Sequence, residues 1–279
     1  MEPNLENKGK IKENIEISKG IYLLTLQVPP AFPFPIPGQF IQVKVGEPPQ
    51  FLLRRPFSIF DYSSEKGELR IIYEVVGKGT LALSKKKEGE ELDFLGPLGN
   101  GFHFGDEKVV ILVGGGMGIA PLHLAGKVAH EKGKIVVSVL GFRSKERSIM
   151  VEKFRSFSRN LIVYTEDGSI GERGIATDFF QEKRKVEELV GEILGVNSRK
   201  RLIEEGCLGF ITVFSCGPRK MLESITRICE KWNLPCQISL EQFMGCGVGL
   251  CMGCVVRTKG GYKRVCTEGP VFEGGFIEW

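Results

Sequence analysis

The feature of this sequence that most constrains its fold is a cluster of cysteines near the C-terminus. Four of the chain's eight cysteines lie there, separated by four, two and eleven residues, namely Cys246, Cys251, Cys254 and Cys266. Three glycines stand between the first and third of them, namely Gly247, Gly249 and Gly253. Glycines allow a loop to adopt positive φ and to bring its backbone amides close to sulfur atoms. The segment therefore predicts a metal centre held by four thiolates.

Two kinds of metal site use four thiolates, and the spacing discriminates between them. The run C-x4-C-x2-C, with a fourth cysteine further along, holds a [2Fe–2S] cluster in plant-type ferredoxins. A structural zinc site usually has two C-x2-C pairs, whereas this segment has one. We therefore favour a [2Fe–2S] cluster and keep zinc as the alternative. Cys266 lies nearer to the other three than in plant-type ferredoxins, so the loop is a compact variant.

Composition restricts the class of protein further. The chain has 279 residues, enough for two ordinary domains and a small third one. Its hydrophobic content of 42%, charged content of 26% and net charge of +4 are typical of globular proteins and give no reason to expect nucleic-acid binding. No apolar run is long enough to span a membrane. The N-terminus lacks the apolar core of a signal peptide, so we expect a cytoplasmic location.

The remaining cysteines could in principle form disulfides. They are scattered through apolar settings, namely Cys207, Cys216, Cys229 and Cys236. Disulfides are rare in the reducing compartment that the N-terminus indicates. Disulfide pairing is therefore the least favoured use of the cysteines.

The first third of the chain has the pattern of a small β domain. Short β-type runs are separated by turns rich in proline and glycine, namely Ile21–Val28, Phe40–Val45, Leu69–Val76 and Glu91–Phe94. Strands at this spacing, without helical periodicity between them, predict a closed antiparallel β barrel. We place its boundary at residue 105.

Two motifs inside the predicted barrel have the chemistry of a phosphate-containing cofactor site. In Arg54–Ser58, a guanidinium can pair with phosphate and Ser58 offers a hydroxyl group. In Tyr73–Thr80, a strand runs into a Gly-Lys-Gly-Thr turn whose free amides could face a pyrophosphate. Either motif alone fits a solvated edge strand or an ordinary turn equally well. A third stretch, Gly96–Phe102, closes the domain.

The middle of the chain predicts a parallel α/β domain over residues 106–235. Lys108–Val113 is a continuous apolar run of the kind that is buried on both faces of a parallel sheet. A glycine turn follows, containing Gly115, Gly116 and Gly118, and leads into a predicted helix at Leu122–Lys132. Further strands are predicted at Ile135–Phe142, Leu161–Thr165 and Ile211–Ser215. A strand, a glycine turn and a helix N-terminus together favour a pyrophosphate, although a tight turn without a ligand is the alternative.

Two other strand ends in this domain carry candidate residues. Glu166 and Asp167 follow one strand, and a carboxylate there would repel a 2′-phosphate, so we expect NAD rather than NADP. Arg143 keeps the NADP alternative open. Cys216, Gly217 and Pro218 form a turn at the end of another strand, where Cys216 is either a ligand-facing residue or a small buried apolar one.

A charged stretch, Gln181–Gly209, lies between these strands and has helical periodicity. Its alternating charges are typical of one or two solvated helices, and contact with a partner is the alternative.

The order of the motifs resembles the ferredoxin reductase superfamily. An Arg-x-x-Ser element, a Gly-x-Gly-Thr turn and Gly-Pro-Leu-Gly are followed by Gly-Gly-x-Gly-x-x-Pro and Cys-Gly-Pro. The resemblance implies an FAD-binding barrel, with FAD contacts at Arg55, Pro56, Phe57, Ser58, Ile72, Tyr73, Glu74, Gly79 and Thr80. It implies NAD contacts at Gly115, Gly116, Gly118, Asp167, Gly217 and Pro218, with Cys216 beside the nicotinamide as the catalytic residue. Phe57 stands where the family often has tyrosine.

The C-terminal segment, residues 236–279, resembles a narrower family. Its Leu-Glu-x-x-Met-x-Cys run and its Gly-Pro-Val-Phe end look like the electron-transfer subunit of class 1B dihydroorotate dehydrogenase. That resemblance implies that the four clustered cysteines hold the [2Fe–2S] cluster. It also implies an FMN-containing catalytic partner subunit in a heterotetramer, and electron transfer from dihydroorotate to NAD+ through the cluster and FAD.

Other functions remain open at this stage. Two related subunits have a similar architecture. The small subunit of the electron-bifurcating ferredoxin:NADP transhydrogenase has a similar pattern with Asp at the position of Cys246. The flavin subunit of soluble sulfhydrogenases has all four cysteines. A standalone NADH:acceptor reductase and a non-redox module with a zinc knuckle are two further alternatives. The zinc module leaves the flavin-like motifs unexplained.

Overall fold

In the computed structural model of the chain, the described residues are 6–181, 183–195 and 210–279. They belong to two structural units. The barrel unit comprises the chain up to Gly101 together with Leu240–Val271, and the sheet unit comprises Phe102–Ser239 together with Phe272–Trp279. The barrel unit therefore contains both the predicted FAD-binding domain and the cysteine cluster.

Six antiparallel strands close the barrel in the order β1-β2-β5-β4-β3-β6. Their bounds are β1 Glu6–Ser18, β2 Ile21–Gln27, β3 Phe40–Val43, β4 Arg55–Ser63, β5 Glu68–Glu74 and β6 Glu91–Leu98. Side chains that alternate along each strand fill the interior, among them Leu24, Leu26, Ile59, Ile71 and Phe94, none of them exposed to solvent. The predicted barrel is confirmed, with β1 and the full length of β4 in addition to the predicted strands.

A short helix, α1, spans Lys78–Ser84 directly after β5. Asn14 of β1 fixes its C-terminal end, because the Asn14 Nδ2 atom donates to the carbonyl oxygens of Leu83 at 2.9 Å and Lys86 at 3.0 Å. The Asn14 Oδ1 atom accepts a 2.8 Å bond from the Tyr73 hydroxyl. One side chain thus ties α1 and β5 to the first strand of the barrel.

The cysteine segment is fastened to the end of β6. The Asn100 backbone amide donates to the Gly269 carbonyl oxygen at 2.6 Å. The Asn100 side chain donates to the carbonyl oxygens of Thr267 at 3.2 Å and Glu268 at 3.3 Å. Gly99 makes this approach possible, because a Cβ atom there would lie 2.7 Å from the Gly269 oxygen. The Gly-Pro-Leu-Gly-Asn stretch is therefore the attachment point of the C-terminal segment.

The sheet unit is built on a seven-stranded sheet of order β10-β9-β8-β7-β11-β12-β15. Its strands are β7 Val109–Gly115, β8 Ile135–Phe142, β9 Ser158–Thr165, β10 Glu172–Arg173, β11 Ile211–Cys216, β12 Cys236–Ser239 and β15 Val271–Glu273. Four helices among the described residues accompany them, namely α2 Ile119–Glu131, α3 Val151–Arg155, α4 Lys183–Leu194 and α5 Arg219–Trp232. Every residue of β7 and β11 is buried, as the continuous apolar runs predict.

The strand order of the sheet reverses between β7 and β11, which makes this a topological switch point. From β7 the sheet grows through β8 and β9 on one side, and then through β11 and β12 on the other, with all these pairings parallel. In open α/β sheets the carboxyl ends of the strands at such a switch point form the ligand crevice. The predicted fold class is confirmed.

The charged stretch Gln181–Gly209 is only partly described. Its described part contains α4, as the helical periodicity predicts, while residue 182 and residues 196–209 lie outside the described ranges. Within the described ranges, no helix is long and apolar enough to cross a membrane.

Candidate flavin, nucleotide and iron–sulfur sites

A β-hairpin explains the eleven-residue spacing before the last cysteine. Strands β13 Val255–Thr258 and β14 Gly261–Arg264 pair antiparallel directly after Cys254. The pairing returns the chain to its starting point, and the Val265 amide donates to the Cys254 carbonyl oxygen at 3.1 Å. Cys266 therefore lies beside Cys254, although the sequence separates them.

Backbone amides of the cysteine loop point at the sulfur atoms. The Cys246 Sγ atom accepts from the amides of Leu250 at 3.3 Å and Cys251 at 3.4 Å. The Cys266 Sγ atom accepts from the Gly249 amide at 3.2 Å, and the Cys251 Sγ atom accepts from the Gly253 amide at 3.4 Å. Amide donors of this kind stabilise anionic thiolates, as a bound iron–sulfur centre requires.

The four thiols interact with one another. Cys246 interacts with Cys251, and Cys266 interacts with both Cys254 and Cys246. In the part of the chain that the structure describes, no three Cys, His, Asp or Glu side chains converge as they would around one metal ion. A [2Fe–2S] cluster takes four thiolates, two on each iron. The donor set and its amide shell fit a [2Fe–2S] cluster.

Burial and hydrogen bonding shift the pKa values of Cys246 and Cys266 in opposite directions. Burial opposes ionisation of Cys246, but the amides of Val248, Cys251 and Leu250 outweigh it and lower the pKa of Cys246 to about 6. At Cys266, burial and the neighbouring Cys254 thiol raise the pKa to about 11. A coordinated metal deprotonates a thiol outright, so both residues can serve as ligands.

An ion pair that the sequence analysis missed braces the loop against the hairpin. Arg264 donates to the Gly249 carbonyl oxygen at 3.2 Å, and its Nε atom lies 3.1 Å from the Glu268 Oε2 atom. The Arg264 amide and Lys263 also bond the Glu268 carboxylate and lower the pKa of Glu268 to about 2. The sequence indicated this ion pair only through the i,i+4 spacing of Arg264 and Glu268. The turn after β14 is what brings the two side chains together.

The predicted FAD motif coincides with a change in burial along β4. Arg55, Pro56, Phe57 and Ser58 are all half-exposed, whereas the next four residues of the strand are buried. Residues 59–63 of β4 pair with residues 68–71 of β5. Among the described strands, this pairing stops at Ile59 and Ile71. Main-chain donors and acceptors of Phe57, Ser58 and Tyr73 can therefore serve a ligand at the end of this ladder. The edge of an isoalloxazine ring, with its several hydrogen-bonding atoms, fits such a gap.

The two arginines of the motif have different surroundings. Arg54 is engaged by the Asp93 carboxylate at 2.9 Å. Arg55 bonds only the nearby carbonyl oxygens of Leu53 and Arg54 among its described hydrogen bonds, and its Nε atom would lie 3.0 Å from a Cβ atom at Gly79. Arg55 and Gly79, which the sequence separates, are thus brought together. The pair fits the predicted site of the FAD phosphates.

The side chains of several other predicted FAD residues are buried or bonded within the protein. The Tyr73 ring is buried, stacked on Tyr22 at 5.5 Å and tilted against Phe57 at 5.6 Å. Burial raises the pKa of the Tyr73 hydroxyl above its usual range. The Thr80 hydroxyl accepts from the amides of Val76 and Gly77, so it caps α1. Ile72 is buried and Glu74 is half-buried, and contacts of all these residues with FAD stay predictions.

The two turns predicted to bind NAD meet at the switch point of the sheet. The glycine turn after β7 and the Cys-Gly-Pro turn after β11 lie side by side, because Cys216 pairs with Gly114. A Cβ atom at Gly118 would collide with the Cys216 carbonyl oxygen, and one at Gly115 would lie 2.9 Å from the Pro218 ring. Both positions therefore require glycine for contact between the turns. Gly116, at φ +55°, begins the turn into α2.

Two other predicted NAD residues, Cys216 and Asp167, differ in their exposure to solvent. Cys216 is 1% exposed, below the crevice surface, so its assignment beside the nicotinamide stays a prediction. Asp167 is exposed at the end of β9, where the Ser169 hydroxyl and amide bond its Oδ1 atom at 2.6 and 3.0 Å. Those bonds lower the pKa of Asp167, so its carboxylate is charged. Gly217 and Pro218, which are also predicted to contact NAD, both lie beside Gly115.

Comparisons with known proteins match two parts of the chain to family models. The model of the oxidoreductase FAD-binding domain matches residues 8–103. The model of the iron–sulfur cluster binding domain of dihydroorotate dehydrogenase B matches residues 241–278. The NADH-dependent reduced ferredoxin–NADP oxidoreductase is similar in structure, with a TM-score of 0.79 and 31% identity, covering 100% of this chain and 92% of that one. Phthalate dioxygenase reductase shares the fold alone, at TM-score 0.60 and 16% identity, covering 90% and 86%.

The barrel, the switch-point sheet and the cysteine loop define an electron-transfer protein with the ferredoxin reductase fold. Electron transfer subunits of dihydroorotate dehydrogenase B (NAD(+)) are similar over nearly the whole chain. The subunit of Caldanaerobacter subterraneus subsp. tengcongensis is 40% identical, covering 95% of each chain, and that of Bacillus pumilus is 39% identical, covering 94% of each. The chain belongs to this family of electron transfer subunits.

Arg55→Ala is expected to weaken FAD binding. Loss of a hydrogen bond to a charged group costs about 1.5–3 kcal/mol, or roughly 10- to 150-fold in the dissociation constant. The measurement is FAD titration of the deflavinated protein. The matched control is Arg54→Ala, because Asp93 already occupies that guanidinium. Equal losses in the two variants would contradict the assignment of Arg55.

Cys251→Ser is expected to remove the cluster while FAD content and NADH–dye activity are largely retained. The change deletes one ligand in the loop and leaves β4, β5 and the switch-point turns untouched. Iron and sulfide analysis with the visible spectrum checks this. Cys229→Ala, a buried cysteine of α5, is the control and should keep its cluster. A normal cluster spectrum in Cys251→Ser would refute the ligand assignment.

Proposed function

We propose that this chain carries electrons between an FMN-containing dihydroorotate dehydrogenase subunit and NAD+, through a [2Fe–2S] cluster and FAD. The observation that carries the proposal is the cysteine loop, whose backbone amides donate to the sulfur atoms of its four cysteines within the segment that the dihydroorotate dehydrogenase B model matches. The FAD-binding match in the same structural unit supports it. We further propose a cytoplasmic location, because an iron–sulfur cluster needs its cysteine ligands as thiolates and thiols stay reduced in that compartment.

The overall reaction balances as a two-electron oxidation. Dihydroorotate loses two electrons and two protons to give orotate, and NAD+ takes both electrons and one proton as a hydride, releasing the other proton. When bound, FAD links the two-electron chemistry of NAD to the one-electron chemistry of the cluster. The residues of this chain supply binding and orientation.

Each group of residues has a separate task in this proposal. Arg55 neutralises the FAD pyrophosphate, while the open end of the β4–β5 ladder orients the flavin ring. The turns around Gly118 and Cys216 place NAD at the switch point of the sheet. The amides of the cysteine loop hold negative charge on the sulfur atoms.

The cysteine loop also has the character of a docking surface for the catalytic subunit. Cys251 is exposed, and the apolar side chains beside it, Leu250 and Met252, are 82% and 52% exposed. Exposed apolar groups at a redox centre favour a protein partner. We propose an assembly of two catalytic subunits and two copies of this chain.

A second candidate function follows from one comparison. The similarity to the NADH-dependent reduced ferredoxin–NADP oxidoreductase extends over the whole chain. The chain could therefore serve as the flavin and cluster subunit of an electron-bifurcating transhydrogenase or of a soluble hydrogenase. The difference between these functions lies in the partner.

The test is recovery of the partner from native extract under anaerobic conditions, using the tagged full chain. The expected complex contains FMN, FAD, iron and sulfide, and reduces NAD+ with dihydroorotate. A Cys251→Ser bait should recover the same subunit without this activity. A nickel–iron hydrogenase or a large bifurcating flavoprotein in its place would reject the dihydroorotate assignment.

Asp167→Asn is expected to shift cofactor preference toward NADPH. The change removes a charge that repels a 2′-phosphate, while the asparagine oxygen can still accept from Ser169. Exposed charges interact weakly, so we expect roughly a two- to fivefold rise in the NADPH/NADH ratio of kcat/KM. Glu152→Gln, at an exposed position of α3, is the control and should leave the ratio unchanged. An unchanged ratio in Asp167→Asn would exclude this carboxylate as a determinant.

A further inference from the structure

Gln42 is a polar residue in an unexpected place. It lies in the middle of β3, where all four residues are buried, and it is 0% exposed. Its neighbours in the strand are apolar, namely Phe40, Ile41 and Val43. A buried side-chain amide is costly unless its donors and acceptor are bonded, so its presence requires a physical reason.

The Gln42 side chain contacts the cysteine loop, which belongs to the same structural unit. A Cβ atom at Gly247 would lie 2.6 Å from Gln42 Cγ and 2.7 Å from Gln42 Nε2. Gly247, at φ +73°, directly follows Cys246. The amino end of the Gln42 amide therefore faces the loop at its first cysteine.

The main chain of Gln42 contacts the flavin motif. Gln42 pairs with Pro56 of β4 in the antiparallel ladder, between Arg55 and Phe57. The residue thus connects the two predicted redox sites, through its backbone on one side and its side chain on the other.

The hydrogen bonds of the Gln42 amide are incomplete. The Nε2 atom donates to the Met244 Sδ atom at 3.7 Å, and a thioether sulfur is a weak acceptor. The Oε1 atom is buried without a hydrogen-bond partner. Because the amino group carries two hydrogens, it can donate to a stronger, anionic acceptor on the loop. The thiolates and sulfides of a bound cluster are acceptors of that kind.

We infer that Gln42 is a positioning residue that holds the Cys246 end of the loop against the barrel and donates a hydrogen bond from Nε2 to the sulfur shell of the cluster. The inference rests on the proposed function only in that the loop holds a [2Fe–2S] cluster. It assigns to one barrel residue a role in setting the redox behaviour of a distant part of the chain.

The direction of the effect follows from electrostatics. Reduction adds a negative charge to the cluster, and a hydrogen-bond donor stabilises the more negative state. Gln42 therefore raises the reduction potential of the cluster. The low dielectric of a fully buried site strengthens the interaction.

The first test replaces Gln42 by Met, which keeps the unbranched length of the side chain and removes both donors. Gln42→Met is expected to retain iron, sulfide and FAD, and to show a lower cluster potential in an EPR-monitored redox titration. The matched control is Thr25→Val, a buried polar residue of β2 in the same barrel. It should lose stability without a change in potential. A wild-type potential in Gln42→Met would overturn the inference.

A second measurement applies to the unmodified protein and needs no variant to fold. Labelling glutamine side-chain amides with nitrogen-15 should give a hyperfine coupling to the reduced cluster in pulsed EPR. Absence of that coupling would overturn the inference. A chain that binds no iron–sulfur cluster at all would instead reject the proposed function, so the two failures are distinguishable.

Discussion

The attachment of the cysteine segment to the end of β6 is the contact on which the rest of the arrangement depends. Asn100 bonds three carbonyl oxygens of a segment that lies more than 160 residues further along the chain. These bonds join main-chain groups and the Asn100 side-chain amide, so the two segments lie close together. Gly99 allows this close approach because it has no side chain. Together with the contact of Gln42 at Gly247, this attachment links the cysteine loop directly to the barrel. With it, the predicted flavin motif and the cluster loop are parts of one unit.

The candidate sites rely on backbone groups to a large extent. Amides face the cysteine sulfurs, the end of the β4–β5 ladder leaves main-chain groups for a ligand, and the turns at the switch point contact each other through glycines. Backbone donors have fixed positions once the fold forms, so they bind charged groups without losing side-chain entropy. This explains why so much of the functional signal in the sequence consists of glycines at particular spacings.

The local parts of these sites could be predicted from the sequence because their chemistry depends on spacing. The cysteine run, the buried strand before the glycine turn and the barrel strands are examples, and the family comparisons confirm the fold class and the FAD and cluster domains. The first strand was missed, since charged residues occupy most of its exposed positions. Tyr73 shows a different limit: its position in the motif indicates a flavin contact, but only the barrel reveals that its ring is buried.

Contacts between distant segments could not be predicted from one sequence. Gln42 and Met244 are 202 residues apart, and nothing near Gln42 distinguishes it from an ordinary strand glutamine until β3 is placed under the loop. Arg264 likewise gains its role only when the hairpin returns the chain to Gly249.

The burial of the four cysteines follows a functional division. Cys254 and Cys266 are buried at the base of the hairpin, while Cys246 is half-buried and Cys251 is exposed. A purely structural site gains nothing from an exposed thiolate, which is open to oxidation. A centre that exchanges electrons with another protein needs one side close to the surface. Cys254 and Cys266 are buried in their own chain and Gln42 contacts the loop at Gly247, which leaves the exposed face with Cys251 and Leu250 as the proposed contact for the partner.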